Sequence, residues 1–95
     1  MKATRSSGLQ TGDAIISSRP AILSGAEIIT DGVNDATLVV YNNTSAAGQV
    51  LFKGKVTGPS NFGGATYEIP VNAELGIFAD ITGTGAAYII LFDYA

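Results

Sequence analysis

The 95-residue sequence predicts an all-β fold: a single small β-sandwich of about seven short antiparallel strands in a jelly-roll or immunoglobulin-like layout. Three observations lead there. Runs rich in Val, Ile, Tyr and Phe alternate with breaks built from Gly, Asn, Asp and Thr, the pattern of short strands between turns. No window of about eleven residues carries an apolar period of 3.6, so no helix is assigned. The stretch from Tyr67 to Ala95 reads strand, turn, strand, turn, strand. Cys and Trp, whose buried forms mark true immunoglobulin domains, are both absent from the sequence.

The elements follow in order. Met1 to Gln10 is polar and without periodicity, so residues 1–10 are expected to be a flexible arm and residues 11–95 the sandwich domain. Asp13–Ser17 is a short first strand. Ala21–Thr30 is a second, and its interior Gly25 predicts a bulge. Asp31-Gly32 opens a polar turn through Asn34 and Asp35. Thr37–Tyr41 and Val50–Thr57 flank the polar loop Asn42–Gly48. In the latter strand, alternation sets Leu51, Lys53 and Lys55 on one side and Val50, Phe52 and Val56 on the other. Gly58 to Gly64 is expected to be the longest loop, because Pro59 and the paired glycines disfavour a strand. Thr66–Val71 contains Pro70, which fits an edge strand or a strand end. Ile77–Thr82 points Ile77, Ala79 and Ile81 inward and Asp80 outward. Gly83-Thr84-Gly85 then turns the chain into Ala86–Tyr94.

That last strand is apolar on both sides. Tyr88, Ile90, Phe92 and Tyr94 point one way, Ile89 and Leu91 the other, with only Asp93 polar. A half-solvated antiparallel strand alternates apolar with polar, so a strand apolar on both faces is expected to be covered on both. The cover expected is another copy of the chain or a larger partner, with Tyr88, Ile89, Ile90, Leu91, Phe92 and Tyr94 at or beside an oligomer contact.

Composition narrows the function. Charged residues are 14% of the chain, against a usual share of about 25%, so less of the surface needs to meet water. The net charge of -3, with only five Lys and Arg, argues against a nucleic-acid partner, whose phosphates require clustered cations. No stretch approaches the roughly 18 apolar residues of a membrane helix, and the polar start lacks a signal-peptide core, so synthesis in the cytoplasm of the host cell is expected. The absence of Cys and His removes thiolate metal sites, the commonest general base and the usual partner of a Ser nucleophile.

The remaining candidate sites reduce to structure. Gly83-Thr84-Gly85 lacks the helix and the Lys of a phosphate loop and is read as a hairpin turn. Asp31, Asn34 and Asp35 gather oxygens that a cation would favour, but without the spacing of an EF-hand; the turn reading is preferred. The triplets in Asn42-Asn43-Thr44-Ser45 are read as a polar loop, and Glu27, Glu68 and Glu74 as solvated surface rather than paired catalytic acids. Lys2, Arg5 and Arg19 form a basic bias near the start, read either as a solvated tail or as an arm that reaches an acidic surface on a neighbouring subunit, with Lys2 and Arg5 as the candidate capsid-docking pair. Most of the eight aromatic residues lie in strands, where packing is their default role. Phe62, flanked by Asn and Gly in the long loop, is the candidate anchor for a partner.

Met1-Lys2-Ala3-Thr4-Arg5 and the run Leu75-Gly76-Ile77-Phe78-Ala79-Asp80-Ile81-Thr82-Gly83-Thr84-Gly85-Ala86-Ala87-Tyr88-Ile89-Ile90 resemble small virion structural proteins of tailed bacteriophages, particularly podovirus-like marine phages. Asp93 departs from the purely aromatic end of that family. The resemblance implies a non-enzymatic head decoration or cement protein on the virion surface that binds the major capsid protein, commonly as a homotrimer, with no catalytic residues and no cofactor. A tail, nozzle or fibre-associated subunit is the alternative within that class. A small carbohydrate-binding module is the alternative outside it, and would require exposed aromatic residues on one sheet face.

Overall fold

The computed structural model describes residues 5–59 and 62–95, with the backbone alone for 62 and 65–69. The described chain contains only strands and turns. The strands are β1 (Arg5–Ser6), β2 (Ala14–Ser17), β3 (Ala21–Ile29), β4 (Ala36–Asn42), β5 (Gln49–Val56), β6 (Phe62–Ala73), β7 (Ile77–Thr82) and β8 (Ala87–Tyr94).

Their pairing is nested and antiparallel. β4 pairs with β5, β3 with β6, β2 with β7 and β1 with β8. The contacts β3–β8 and β4–β7 then join these pairs into two four-stranded sheets, β1-β8-β3-β6 and β2-β7-β4-β5. The chain is thus one long hairpin rolled upon itself, which is the jelly-roll order rather than the immunoglobulin-like one.

The inner faces supply the core. Leu23 and Ile28 of β3, Leu38 and Val40 of β4, Ile77 of β7, and Tyr88 and Ile90 of β8 are the largest fully buried side chains. Ile16, Leu51, Phe52, Val71 and Ile81 pack at its margin. Burial alternates along β4 from Ala36 to Asn42, and β7 buries Ile77 and Ala79 while Asp80 lies outward, as its period of two predicts. The predicted bulge at Gly25 is present: the register shifts between Leu23 and Gly25, where the β6 partner steps from Val71 to Thr66. Pro70 lies within that step, on the edge strand, where a missing N–H is tolerated. At the β7–β8 turn Gly83 and Gly85 take φ values of 134° and 71°, a backbone that side-chain-bearing residues rarely adopt.

Three expectations are corrected. The strand β6 begins at Phe62, so residues 62–64 are not loop; a Cβ on Gly64 would lie 2.2 Å from the Ala26 carbonyl oxygen, so glycine here admits a close strand rather than preventing one. In β5 the register shifts between the partners of Val40 and Tyr41, leaving Leu51 as the extra residue. Val50 therefore faces outward with Tyr41, and Leu51 packs against the core. Residues 5–10, expected to belong to a free arm, are paired to β8: Arg5 lies opposite Phe92, Ser7 N–H donates to the Ile90 carbonyl at 2.9 Å, and Gln10 and Tyr88 exchange two backbone bonds.

A pair of substitutions on β8 reads out this arrangement. Ile90→Asp would bury an unpaired charge at a fully enclosed position, a cost comparable to a total stability of about 5–15 kcal/mol, so the variant is expected to be unfolded by circular dichroism. Leu91→Asp, half-buried on the opposite face, is expected to fold with a loss of about 1 kcal/mol or less in urea titration. Equal effects would contradict the assignment of faces.

Candidate interaction surfaces

The residues expected at an oligomer contact divide between the two sides of β8. Tyr88 and Ile90 are 0% exposed and Phe92 is 5% exposed within the single chain, so they belong to its own core and are removed from the contact. The Tyr88 hydroxyl donates to the Gly12 carbonyl at 2.7 Å, and burial, followed by the nearby charge of Asp13, pushes its pKa up to about 12. Ile89 and Leu91 lie half-buried on the outer side, opposite Glu27 on β3 and opposite Gly25 and Ser6 on β3 and β1.

Tyr94 closes the end of the strand. Its ring meets Phe92 edge-on at 5.6 Å, with the Arg19 guanidinium 3.6 Å and the Arg5 guanidinium 4.7 Å from its centroid. Arg5 Nε also lies 3.6 Å from Asp93 Oδ1. The expectation that Arg5 docks on a partner is corrected accordingly, since its charge is matched within the chain by Asp93 and Tyr94. Lys2, the other half of the expected docking arm, lies outside the described residues, as does the side chain of the expected anchor Phe62.

The polar loops are held by their own hydrogen bonds. Asp31 Oδ1 accepts from the N–H groups of Val33 and Asn34 at 2.9 and 2.7 Å, and Asp31 Oδ2 accepts from Asn34 Nδ2 at 2.8 Å. The backbone donors of Asn34 and Val33 hold this carboxyl below its ordinary range. Asp35 Oδ1 accepts from Gly58 N–H at 2.9 Å, and Asp35 Oδ2 lies 3.4 Å from Lys55 Nζ. These contacts fit the turn role of both carboxylates. Asn42, taken from sequence as polar loop, is buried at the end of β4. Its Nδ2 donates to Gln49 Oε1 at 3.0 Å and its Oδ1 accepts from Leu75 N–H at 2.9 Å, linking the β4–β5 and β6–β7 turns.

The outer face of the β2-β7-β4-β5 sheet carries the feature that sequence reasoning missed. Ile15, Phe78, Tyr41 and Val50 are cross-strand partners in one row spanning all four strands. Ile15 and Val50 at its ends are 54% and 48% exposed, while Phe78 and Tyr41 between them are half-buried. The neighbouring row holds Asp80, Val39 and Lys53, with Asp13 beside Asp80 at the β2 end. Asp13 Oδ1 accepts from Ile81 N–H at 2.8 Å, fixing its carboxylate there. Burial, then the charge of Asp13 and a hydrogen bond with it, raise the pKa of Asp80 above the ordinary 3.8. One sign of the row was available in the alternation of β7: if Ile77, Ala79 and Ile81 face inward, Phe78 must face outward.

A shallow cleft of about 320 Å³ lies where the two sheets end at β1 and β2, lined by Ser6, Ser7, Gln10 and Ile15 among others. Among the described residues no group of three or more acidic, His or Cys side chains is placed to hold a metal ion. A scan against protein-family models returns no match, and searches of the curated proteins and of the solved structures return no significant match either.

Replacing Asp80 tests the electrostatics of this face. The folded-state pKa of Asp80 is above its unfolded value, so its ionisation costs stability; the penalty is absent below the unfolded pKa and complete above the raised one. Asp80→Asn is therefore expected to raise the melting temperature at neutral pH and to leave it unchanged near about pH 2, where both states are protonated. A shift of equal size at both pH values, in paired thermal scans, would contradict the raised pKa of Asp80.

Proposed function

We propose that this chain is a non-enzymatic structural protein of a tailed-phage virion, a decoration or cement subunit that binds the assembled head through the major capsid protein and stabilises it. The observation that carries the reading is the nested strand order, β1-β8-β3-β6 against β2-β7-β4-β5, an arrangement used repeatedly by viral capsid domains. Fold alone assigns no function; the phage context rests on the resemblance over Met1–Arg5 and Leu75–Ile90. The low charged share supports a protein that covers part of its surface by assembly. Self-association remains part of the reading, but the trimer expected from the resemblance can no longer use the inner face of β8, whose side chains fill the core.

The jelly-roll order also occurs in lectins, and Tyr41 and Phe78 lie side by side on an outer sheet face, so a carbohydrate-binding module is the second reading.

Electron microscopy of particles assembled with and without the chain separates these readings. The cement reading expects density for this protein on the outer surface of the head, and earlier genome release on heating when it is missing. Adding the purified protein back is expected to restore both. Density confined to the tail would support the tail, nozzle or fibre subunit instead. Failure to bind particles, together with a sugar-array signal lost in Tyr41→Ala, would replace the proposal with the lectin reading.

A further inference from the structure

We infer that the outer face of the β2-β7-β4-β5 sheet is a self-complementary surface for a second copy of this chain, related by a two-fold axis parallel to the strands and passing between β7 and β4. The inference does not rest on the virion reading; it follows from the order of side chains on this face.

Side chains are arranged across the face in a polar sequence. The acids Asp13 and Asp80 stand at its β2–β7 side, and Lys53 stands on β5, the opposite edge. Lys53 is exposed and makes no ion pair among the described residues, whereas Lys55 is matched by Asp35. Because the sheet has four strands, a two-fold axis between its two central strands brings β2 over β5 and β7 over β4 of the second copy. Ile15 then meets Val50, Phe78 meets Tyr41, and Lys53 approaches the Asp13–Asp80 pair of the other copy. Each contact occurs twice, as an isologous interface requires. The same-sign repulsion between Asp13 and Asp80 is relieved by the incoming ammonium group. Strands of the two sheets would run nearly aligned, the usual geometry of face-to-face packing.

The other outer face lacks this complementarity. It also exposes apolar side chains in part, Ile22, Ile29, Ile89 and Leu91. Its charged side chains among the described residues, Glu27 and Asp93, are both acidic, and Asp93 is already matched by Arg5. With Asp93 already paired to Arg5, that face lacks the opposite charges at opposite edges that make the β2-β7-β4-β5 face self-complementary.

Size sets the expected strength. Four strands about 4.8 Å apart and three rows of outward side chains give a footprint of about 19 by about 17 Å. That is about 320 Å² per copy, under half of the roughly 800 Å² per partner of a standard interface, so association no tighter than tens of micromolar is expected.

Sedimentation equilibrium from about 1 to about 300 µM tests the proposal at concentrations bracketing that range. The wild type is expected to pass from the mass of one chain, 9.7 kDa, to twice that value. Phe78→Glu, on the outer side of β7, is expected to keep the circular dichroism spectrum and remain monomeric throughout. Should that variant unfold, charge exchange supplies the answer. Lys53→Asp and Asp13→Lys are each expected to weaken association by about tenfold or more, and the double variant to restore it. A wild-type protein that stays monomeric at the highest concentration overturns the inference, and loss of particle or sugar binding in Phe78→Glu would then give the row to a different partner. A trimer, or a dimer indifferent to all three substitutions, overturns it equally.

Discussion

The last strand must be enclosed between the third strand and the first, and the rest of the architecture depends on that constraint. β8 pairs with β3 along its length and with β1 at its other edge, and a bond such as Ile90 N–H to Ser7 Oγ joins residues 83 positions apart. Contacts so distant in sequence carry a large loop-closure cost before they return any stability. The apolar inner side of β8 offsets that cost, because Tyr88, Ile90 and Phe92 meet the inner faces of both sheets. Once β8 is fixed beside β3, the nested order leaves β7 beside β4, and the two sheets are closed over one core.

The same enclosure decides which surfaces remain for partners. The inner side of the most apolar strand is consumed by folding, and the basic side chain nearest the start of the described chain is matched by Asp93 and Tyr94. Interaction capacity shifts to the outer sheet faces, where residues of moderate exposure lie in cross-strand rows. On the β2-β7-β4-β5 face those rows combine an apolar stripe with charges of opposite sign at opposite edges. A flat, strand-built surface of that kind suits repeated contact with identical or regular partners better than enclosure of a small substrate. That property is compatible with the assembly role proposed above.

Much of the fold was legible in the sequence because it rests on local signals. The bounds of β7 coincide with those read from its period of two, the bulge falls beside Gly25, and the glycines of Gly83-Thr84-Gly85 make the turn. What escaped depends on distant partners. The slip that turns Val50 outward is set by how β5 registers against Val40 and Tyr41, and no local pattern in Gln49–Val56 records it. Residues 62–64 looked like loop because glycine is a poor strand former, yet the neighbouring β3 backbone leaves room for nothing larger at Gly64. Arg5–Ser6 is too short and polar to announce a strand, and only β8 makes it one. The double-sided apolar pattern of β8 led to the expectation of cover on both faces, but among the described residues only its inner face is filled by the core, and Ile89 and Leu91 on the outer face are half-buried. For the candidate surface, Phe78 was deducible as outward-facing; its row with Ile15, Tyr41 and Val50 required the sheet order.

The central claim, that β8 is an interior strand closed on its outer edge by the residues preceding β2, is tested most directly by amide hydrogen exchange on the full chain. The bonds from Ser7 to Ile90 and between Gln10 and Tyr88 predict slow exchange for the Ser7, Gln10, Tyr88 and Ile90 amides, with all four responding together to mild denaturant. If Ser7 and Gln10 exchange at the rate of an unstructured peptide while the β3 and β4 amides stay protected, β8 is a sheet edge and the account is wrong.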